Sequence, residues 1–421
     1  MPTISRFGMA RSLPLNALVV VFCPFAAGYF LSYFFRNVNA IISKDLAQEF
    51  ALTPADLGFL TSMYLAAFAA FQLPLGVLLD RYGPRRTVAA LLCLAAVGAA
   101  LFALGRDLAM LSFGRALIGL GVSAGLMGAI KAFSLWFPLE RLATLNGLYL
   151  AVGGLGALSA TVPAEALVAA LGWRGMFWIL ACLAALVALV VYFVVPEKPL
   201  PGEGQTIAGQ LRGFGRVFGT VAFWRIALPM VVGQAIYLAL QGLWLGPWLA
   251  DVAGRSRHEV ANDLLITALG YIAGSVCFGV ASDRLAHFGI SRLTVYKLGL
   301  VTSLAMLALL AAGIHSELEL ILALYAFTGI SASLAYALLT PLFPPEMTGR
   351  VSTAANMLIF GVSFAMQWGV GAVLKLHPVV DGRYAGAGYA TAFATLAAVQ
   401  LAALAWLLPM RTAVVRAPSP N

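Results

Sequence analysis

Residues 76–86 read Gly76-Val-Leu-Leu-Asp80-Arg81-Tyr-Gly83-Pro84-Arg85-Arg86 and separate two long apolar runs, 55–79 and 87–104. A helix needs about 20 residues to cross the roughly 30 Å hydrocarbon core of a bilayer, and both runs are of that order. The linker is too short to hold a domain. It carries several arginines, which the bias of Lys and Arg toward cytoplasmic loops places in the cytoplasm. Gly76 leaves room for close helix packing. Asp80 is suited to accept hydrogen bonds at a helix N-terminus, where negative charge is favoured.

A weaker copy lies 203 positions on, where Gly279, Asp283 and Arg284 repeat Gly76, Asp80 and Arg81, with Gly289 and Arg292 following. Arg141-Leu-Ala-Thr-Leu-Asn146 is echoed by Arg350-Val-Ser-Thr-Ala-Ala-Asn356, and Gly172-Trp173-x-x-x-Phe177 by Gly388-Tyr389-x-x-x-Phe393. These repeats predict a duplicated chain. The pattern G-x-x-x-D-R-x-G-x-R-[RK] resembles the signature loop of the major facilitator superfamily. That resemblance implies an all-α polytopic membrane protein with 12 transmembrane helices in two six-helix pseudo-symmetric halves, and a binding site between them near the midplane. The halves are expected at 1–195 and 221–421, joined by a Pro- and Gly-containing cytoplasmic linker at 196–220. The repeated loops make Gly76, Asp80, Arg81, Gly83 and Arg86, with Gly279, Asp283 and Arg284, the expected gating residues.

Composition agrees. Apolar residues make up 62% of the 421 and charged residues 10%, with a mean hydropathy of +0.92. A soluble domain carries about 25% charged residues, so this is a multi-pass membrane chain. The net charge of +9 is accounted for by basic cytoplasmic loops, so the lipid bilayer and not nucleic acid is the expected partner. Cys23, Cys93, Cys182 and Cys277 fall in apolar spans without metal-ligand spacing. The first apolar run reads as a retained helix and not a cleaved signal. Arg6 and Arg11 before it, and Arg411 and Arg416 after the last span, predict cytoplasmic termini in the cytoplasmic (inner) membrane.

The first span, about 13–42, places Tyr29, Tyr33 and Arg36 on one face at i, i+4 and i+7, with Asn37 beside them. An arginine at membrane depth costs at least about 2.5–3.5 kcal/mol and normally faces a cavity or a partner. Tyr33-Phe-Phe-Arg36-Asn37-Val-Asn39 resembles the Y-x-x-R-x-N pattern of the superfamily's organic-anion symporters. The alternative is that Arg36 snorkels to the outer interface. Tyr64, Phe68 and Gln72 form a stripe on the second span. In the fourth, Arg115-x-x-x-Gly119-x-Gly121 resembles a second family signature, whose arginine serves proton coupling or holds helix 4 on helix 1. Lys131, further along, is read as snorkelling.

In the seventh span Gln234, Tyr237, Gln241, Trp244 and Trp248 make a polar-aromatic stripe. Tyr336 on the tenth span and Gln367 on the eleventh extend the candidate binding set, and Tyr325 and Asn356 share their stripes.

Other chemistry is missing from the sequence. It has no G-x-x-x-x-G-K-[ST] phosphate loop, its four histidines fall in loops, and no Ser/His/Asp set or buried central carboxylate stands out. An enzyme is not indicated, and neither is a cofactor. The leading expectation is a monomeric secondary transporter taking up a small carboxylate-bearing solute (an organic anion or an amino acid) with protons, by alternating access. The nitrate carriers' paired arginines on helices 2 and 8, and the second basic residue that organic-phosphate carriers place on helix 7, are both absent. A single central arginine suits one carboxylate better than a dianion. Proton-driven efflux of an amphiphile is the alternative, and a non-transporting sensor on the same fold is a third reading.

Overall fold

The computed structural model describes residues 18–198, 207–314, 316–344, 347–380 and 383–410. The first helix, α1, covers Leu18–Asn37 and continues past Val38 as Asn39–Glu49. A single helical stretch, Pro54–Ala103, contains both α2 and α3, divided at Gly83, whose φ of 78° is open to glycine at no steric cost. The signature loop is therefore one sharp turn between two membrane helices. Next, α4 spans Leu108–Trp136 with a break at Ser123 and Ala124.

Helix α5 starts as Leu139–Ser159 and runs into the stretch Val162–Val194, which Gly172 (φ 70°) divides into the end of α5 and all of α6. The second half holds α7 (Val221–Asp251), α8 (Arg257–His287), α9 (Arg292–Ala311), α10 (Leu318–Leu342), α11 (Thr348–Lys375) and α12 (Gly386–Leu407). This makes twelve membrane helices among the described residues, as the resemblance implied. The linker contributes a short helix, Ile207–Phe218, packed beside α11. A two-residue ribbon, β1 (Val379–Val380) with β2 (Arg383–Tyr384), precedes α12. The duplicated loop folds like the first: α8 ends at His287 and Gly289 takes a φ of 78°, the value found at Gly83.

Helix starts follow local rules. Thr53 and Asp56 form a reciprocal capping box on α2 behind Pro54, and Asp107 accepts from the Met110 amide at 2.8 Å to open α4. Helical spans leave no backbone group unpaired in lipid, which is why the apolar runs take this form. The outer shell is apolar and exposed, with Phe113, Leu186, Leu298 and Leu401 among the residues that face away from the protein. His258 lies in the first turn of α8, not in a loop as the sequence suggested.

Candidate functional site

Arg36 on α1 lies between the halves, beside Phe68 of α2 and Phe360 of α11. Its guanidinium carbon lies 4.5 Å from the centre of the Tyr33 ring, 4.9 Å from Phe360 and 5.5 Å from Phe68. Phe68 on α2 and Phe360 on α11 are themselves in contact, with ring centres 4.0 Å apart. Of the stripe read on the second span, Phe68 lies against Arg36, while Gln72 donates to the Phe68 and Ser123 carbonyls. No carboxylate among the described residues forms an ion pair with Arg36, and its Nε is buried without a hydrogen-bond partner. Cation–π contacts contribute about 0.5–2 kcal/mol each, enough to offset part of the cost of a charge at this depth.

Around it, Tyr29 donates to the Tyr33 hydroxyl at 3.3 Å and stacks on Tyr149 of α5, with centres 4.3 Å apart. From the second half, Tyr237 stacks on Tyr271 of α8 at 4.5 Å and 17°, and Tyr271 donates to Gln234 at 3.4 Å. Tyr33 lies near Tyr237, Tyr271 and Tyr336, so phenols of both halves share one region. Tyr336 donates to Asn356 at 2.7 Å.

The amides are engaged inside the protein. Asn37 donates to the Tyr33 carbonyl of its own helix at 2.8 Å. Gln241 sits in a π-turn, Leu240–Trp244, and donates to the Leu264 carbonyl at 3.4 Å, leaving its Oε1 buried and unpartnered. Gln367 donates to Thr61 Oγ1 at 2.7 Å, and its carbonyl accepts from the Trp244 indole at 2.7 Å. Sequence reasoning missed Tyr271 and Phe360. The signals were present: Asp263, Thr267 and Tyr271 recur at i, i+4 and i+8, and Phe360 follows Asn356 by four.

On the face opposite the Gly76–Arg86 loop the halves are fastened together. A Cβ on Gly246 of α7 would lie 2.4 Å from the Ala40 carbonyl of α1, and one on Gly371 of α11 would lie 2.3 Å from that of Pro54 on α2. Only glycine permits backbones this close. Lys44 pairs with Asp251 at 2.9 Å, and Arg257 forks onto Asp45 at 2.9 and 3.1 Å. Asp251 also accepts from Tyr389 at 3.1 Å and is 3% exposed, so it needs those donors. Nearby, Arg255 pairs with the equally buried Asp263 at 3.1 Å. Neither buried carboxylate was singled out from sequence, because each falls at a helix end where exposure is the ordinary outcome.

At the loop face Asp80 pairs with Lys131 of α4. The partner of Asp80 is thus an ammonium and not a helix terminus, and Lys131 is held in an ion pair. The break in α4 at Ser123–Ala124 lies between Arg115 and Lys131, so the two are not in one continuous helical phase. Arg86 holds Glu197 at the end of α6 at 2.9 Å, and Arg81 lies over Tyr82 at 5.4 Å. In the duplicated loop Arg284 is exposed, and a Cβ on Gly279 would meet open space. The Asp283 side chain lies outside the described residues.

This arrangement has a counterpart among known proteins. Residues 25–367 match the model of the Major Facilitator Superfamily. The chain belongs to that superfamily. Among its relatives is a probable nitrate/nitrite antiporter, NarK1, of Thermus thermophilus, 27% identical over 82% of this chain and 75% of that protein. A probable sulfoacetate transporter, SauU, of Cupriavidus necator is 22% identical over 84% of both. A bacterial homologue of the human lysosomal transporter Spinster, solved inward-facing and occupied, superposes with a TM-score of 0.72 at 16% identity, covering 94% of this chain and 96% of that one.

As a superfamily member the chain is a multi-pass membrane transporter and not an enzyme. Its Arg115 is 1% exposed, lies 5.1 Å from the centre of the Tyr64 ring and donates to the Phe35 carbonyl at 3.0 Å. This hydrogen bond ties α4 to α1 beside Arg36. A Cβ on Gly119 would sit 2.1 Å from the Tyr64 carbonyl, so the signature glycine lets α4 reach α2.

Proposed function

We propose that this transporter takes up a small carboxylate-bearing organic anion with protons, by alternating access. The observation that carries the reading is Arg36, partly buried between the halves against three aromatic rings and without a carboxylate partner among the described residues. A guanidinium shielded by rings attracts anions and repels bare cations, and its planar fork matches the two oxygens of a carboxylate. The names of the two relatives, both carriers of anions, support the same class.

In this reading Tyr29, Tyr33, Asn37, Gln234, Tyr237, Gln241, Tyr336 and Gln367 surround the solute. Arg115 grips the peptide next to Arg36 and ties the site to α4. The Gly76–Arg86 loop, the 196–220 linker and both termini lie in the cytoplasm. The six-helix units 1–195 and 221–421 rock about the site as a monomer. The fastened face is then the periplasmic one, and this conformation is closed outward. The test is uptake by reconstituted vesicles under an imposed pH gradient, acidic outside, over a panel of carboxylates, amino acids and amphiphiles. Accumulation of a carboxylate that collapses with a protonophore and is lost in Arg36→Ala supports the reading. Transport of a neutral or cationic amphiphile alone overturns it.

A further inference from the structure

The rings around Arg36 say something about the uncharged part of the solute. Tyr33 lies one turn toward the loop face from Arg36, and beyond it the Tyr237–Tyr271 stack belongs to the other half. Tyr33 and Tyr271 each keep part of their surface open, whereas Tyr237 is covered. Apart from Gln241 Oε1, the side-chain amides that could read a hydroxylated solute are already engaged. Asn37 and Gln241 donate to backbone carbonyls, Gln367 to Thr61, and Gln234 and Asn356 accept phenol protons. A sugar acid, with several hydroxyls to satisfy and one free acceptor, would have to compete with these bonds, and each buried polar group left without a partner opposes binding. A flat apolar body needs none of them, because it can lie against ring faces in offset or edge contact.

We infer that the solute is an aromatic monocarboxylate, its carboxylate on Arg36 and its ring against Tyr33 and Tyr271. One helical turn rises about 5.4 Å, which suits a ring joined to its carboxylate directly or through a carbon or two. This inference rests on the anion reading above and narrows it. It separates this transporter from carriers of small inorganic or purely aliphatic anions, which share the charge and lack the ring.

The experiment measures dissociation constants of phenylacetate, acetate and glucuronate for the purified full-length protein and for Arg36→Ala, Tyr271→Phe and Tyr271→Leu. Phenylacetate is expected to bind about tenfold or more tightly than acetate or glucuronate, in keeping with ring contacts on two sides. Tyr271→Phe keeps the ring and should keep that preference. Tyr271→Leu should lose most of it, weakening phenylacetate far more than acetate, which separates a ring contact from a general packing defect. Acetate or glucuronate binding as tightly as phenylacetate, and dependent on Arg36, overturns the aromatic class and leaves the anion reading standing. Phenylacetate binding equally to wild type and Arg36→Ala, or no Arg36-dependent binding of any of the three, overturns both.

Discussion

The guanidinium of Arg36 on α1 lies 4.9 Å from the centre of the Phe360 ring on α11, so the charge of one half rests on an aromatic face of the other. An anion that binds Arg36 must share it with that ring and with Phe68, which touches Phe360. Arg36→Ala should weaken solute binding by about 2–5 kcal/mol, roughly 30-fold or more, as expected when one partner of a shielded charge pair is removed. Arg36→Lys should retain part of the affinity, since the charge stays and the planar fork is lost. Gln241→Ala should cost less, about 0.5–1.5 kcal/mol, because it removes at most a neutral hydrogen bond. Isothermal titration of the three variants checks the order, and equal affinities for wild type and Arg36→Ala would remove the anion site.

The Asp80–Lys131 pair fastens the loop end of α2 to α4, with side chains 32% and 24% exposed. A pair this accessible contributes about 0.2–1 kcal/mol, up to roughly fivefold in a conformational balance. Asp80→Asn and Lys131→Met should each slow transport with membrane insertion intact. The exchange Asp80→Lys with Lys131→Asp should recover part of the rate. Uptake unchanged in both single variants would deny the pair a gating role.

Gly246 meets the Ala40 carbonyl at a distance that no side chain tolerates. Gly246→Val should hold α7 off α1, keep the outer face from closing and stop transport in a protein that still folds. Labelling of a cysteine introduced near the outer ends of α1 and α7 should rise several-fold relative to the parent. Unaltered labelling together with normal uptake would show that this contact is not needed for closure.

Lys44→Met leaves Asp251 buried with the Tyr389 hydroxyl and the Tyr384 amide as its remaining donors. Lys44 is 45% exposed, so the expected loss is modest, about 1 kcal/mol. Adding Asp251→Asn should restore most of it by removing the charge that lost its partner. Thermal unfolding of the two variants in detergent is the measurement, and a double variant less stable than either single one would refute the pairing.

The sequence by itself determined the twelve spans, the duplication and the two sharp turns. These depend on local quantities: apolar length against bilayer thickness, and a positive φ that glycine supplies at Gly83 and again at Gly289. It also placed Arg36 and Tyr33 on one face, because residues three or four apart along a helix share a side. Tertiary structure decided the partners. That Asp80 finds Lys131, that Gln367 is committed to Thr61, and that Tyr271 and Phe360 complete the ring of aromatics depend on how each helix is rotated and where it bends. Those rotations are set by contacts between distant segments, such as Gly119 on Tyr64 and Gly246 on Ala40. Periodicity shows which residues share a face of one helix, but only the packing of twelve helices decides which faces meet.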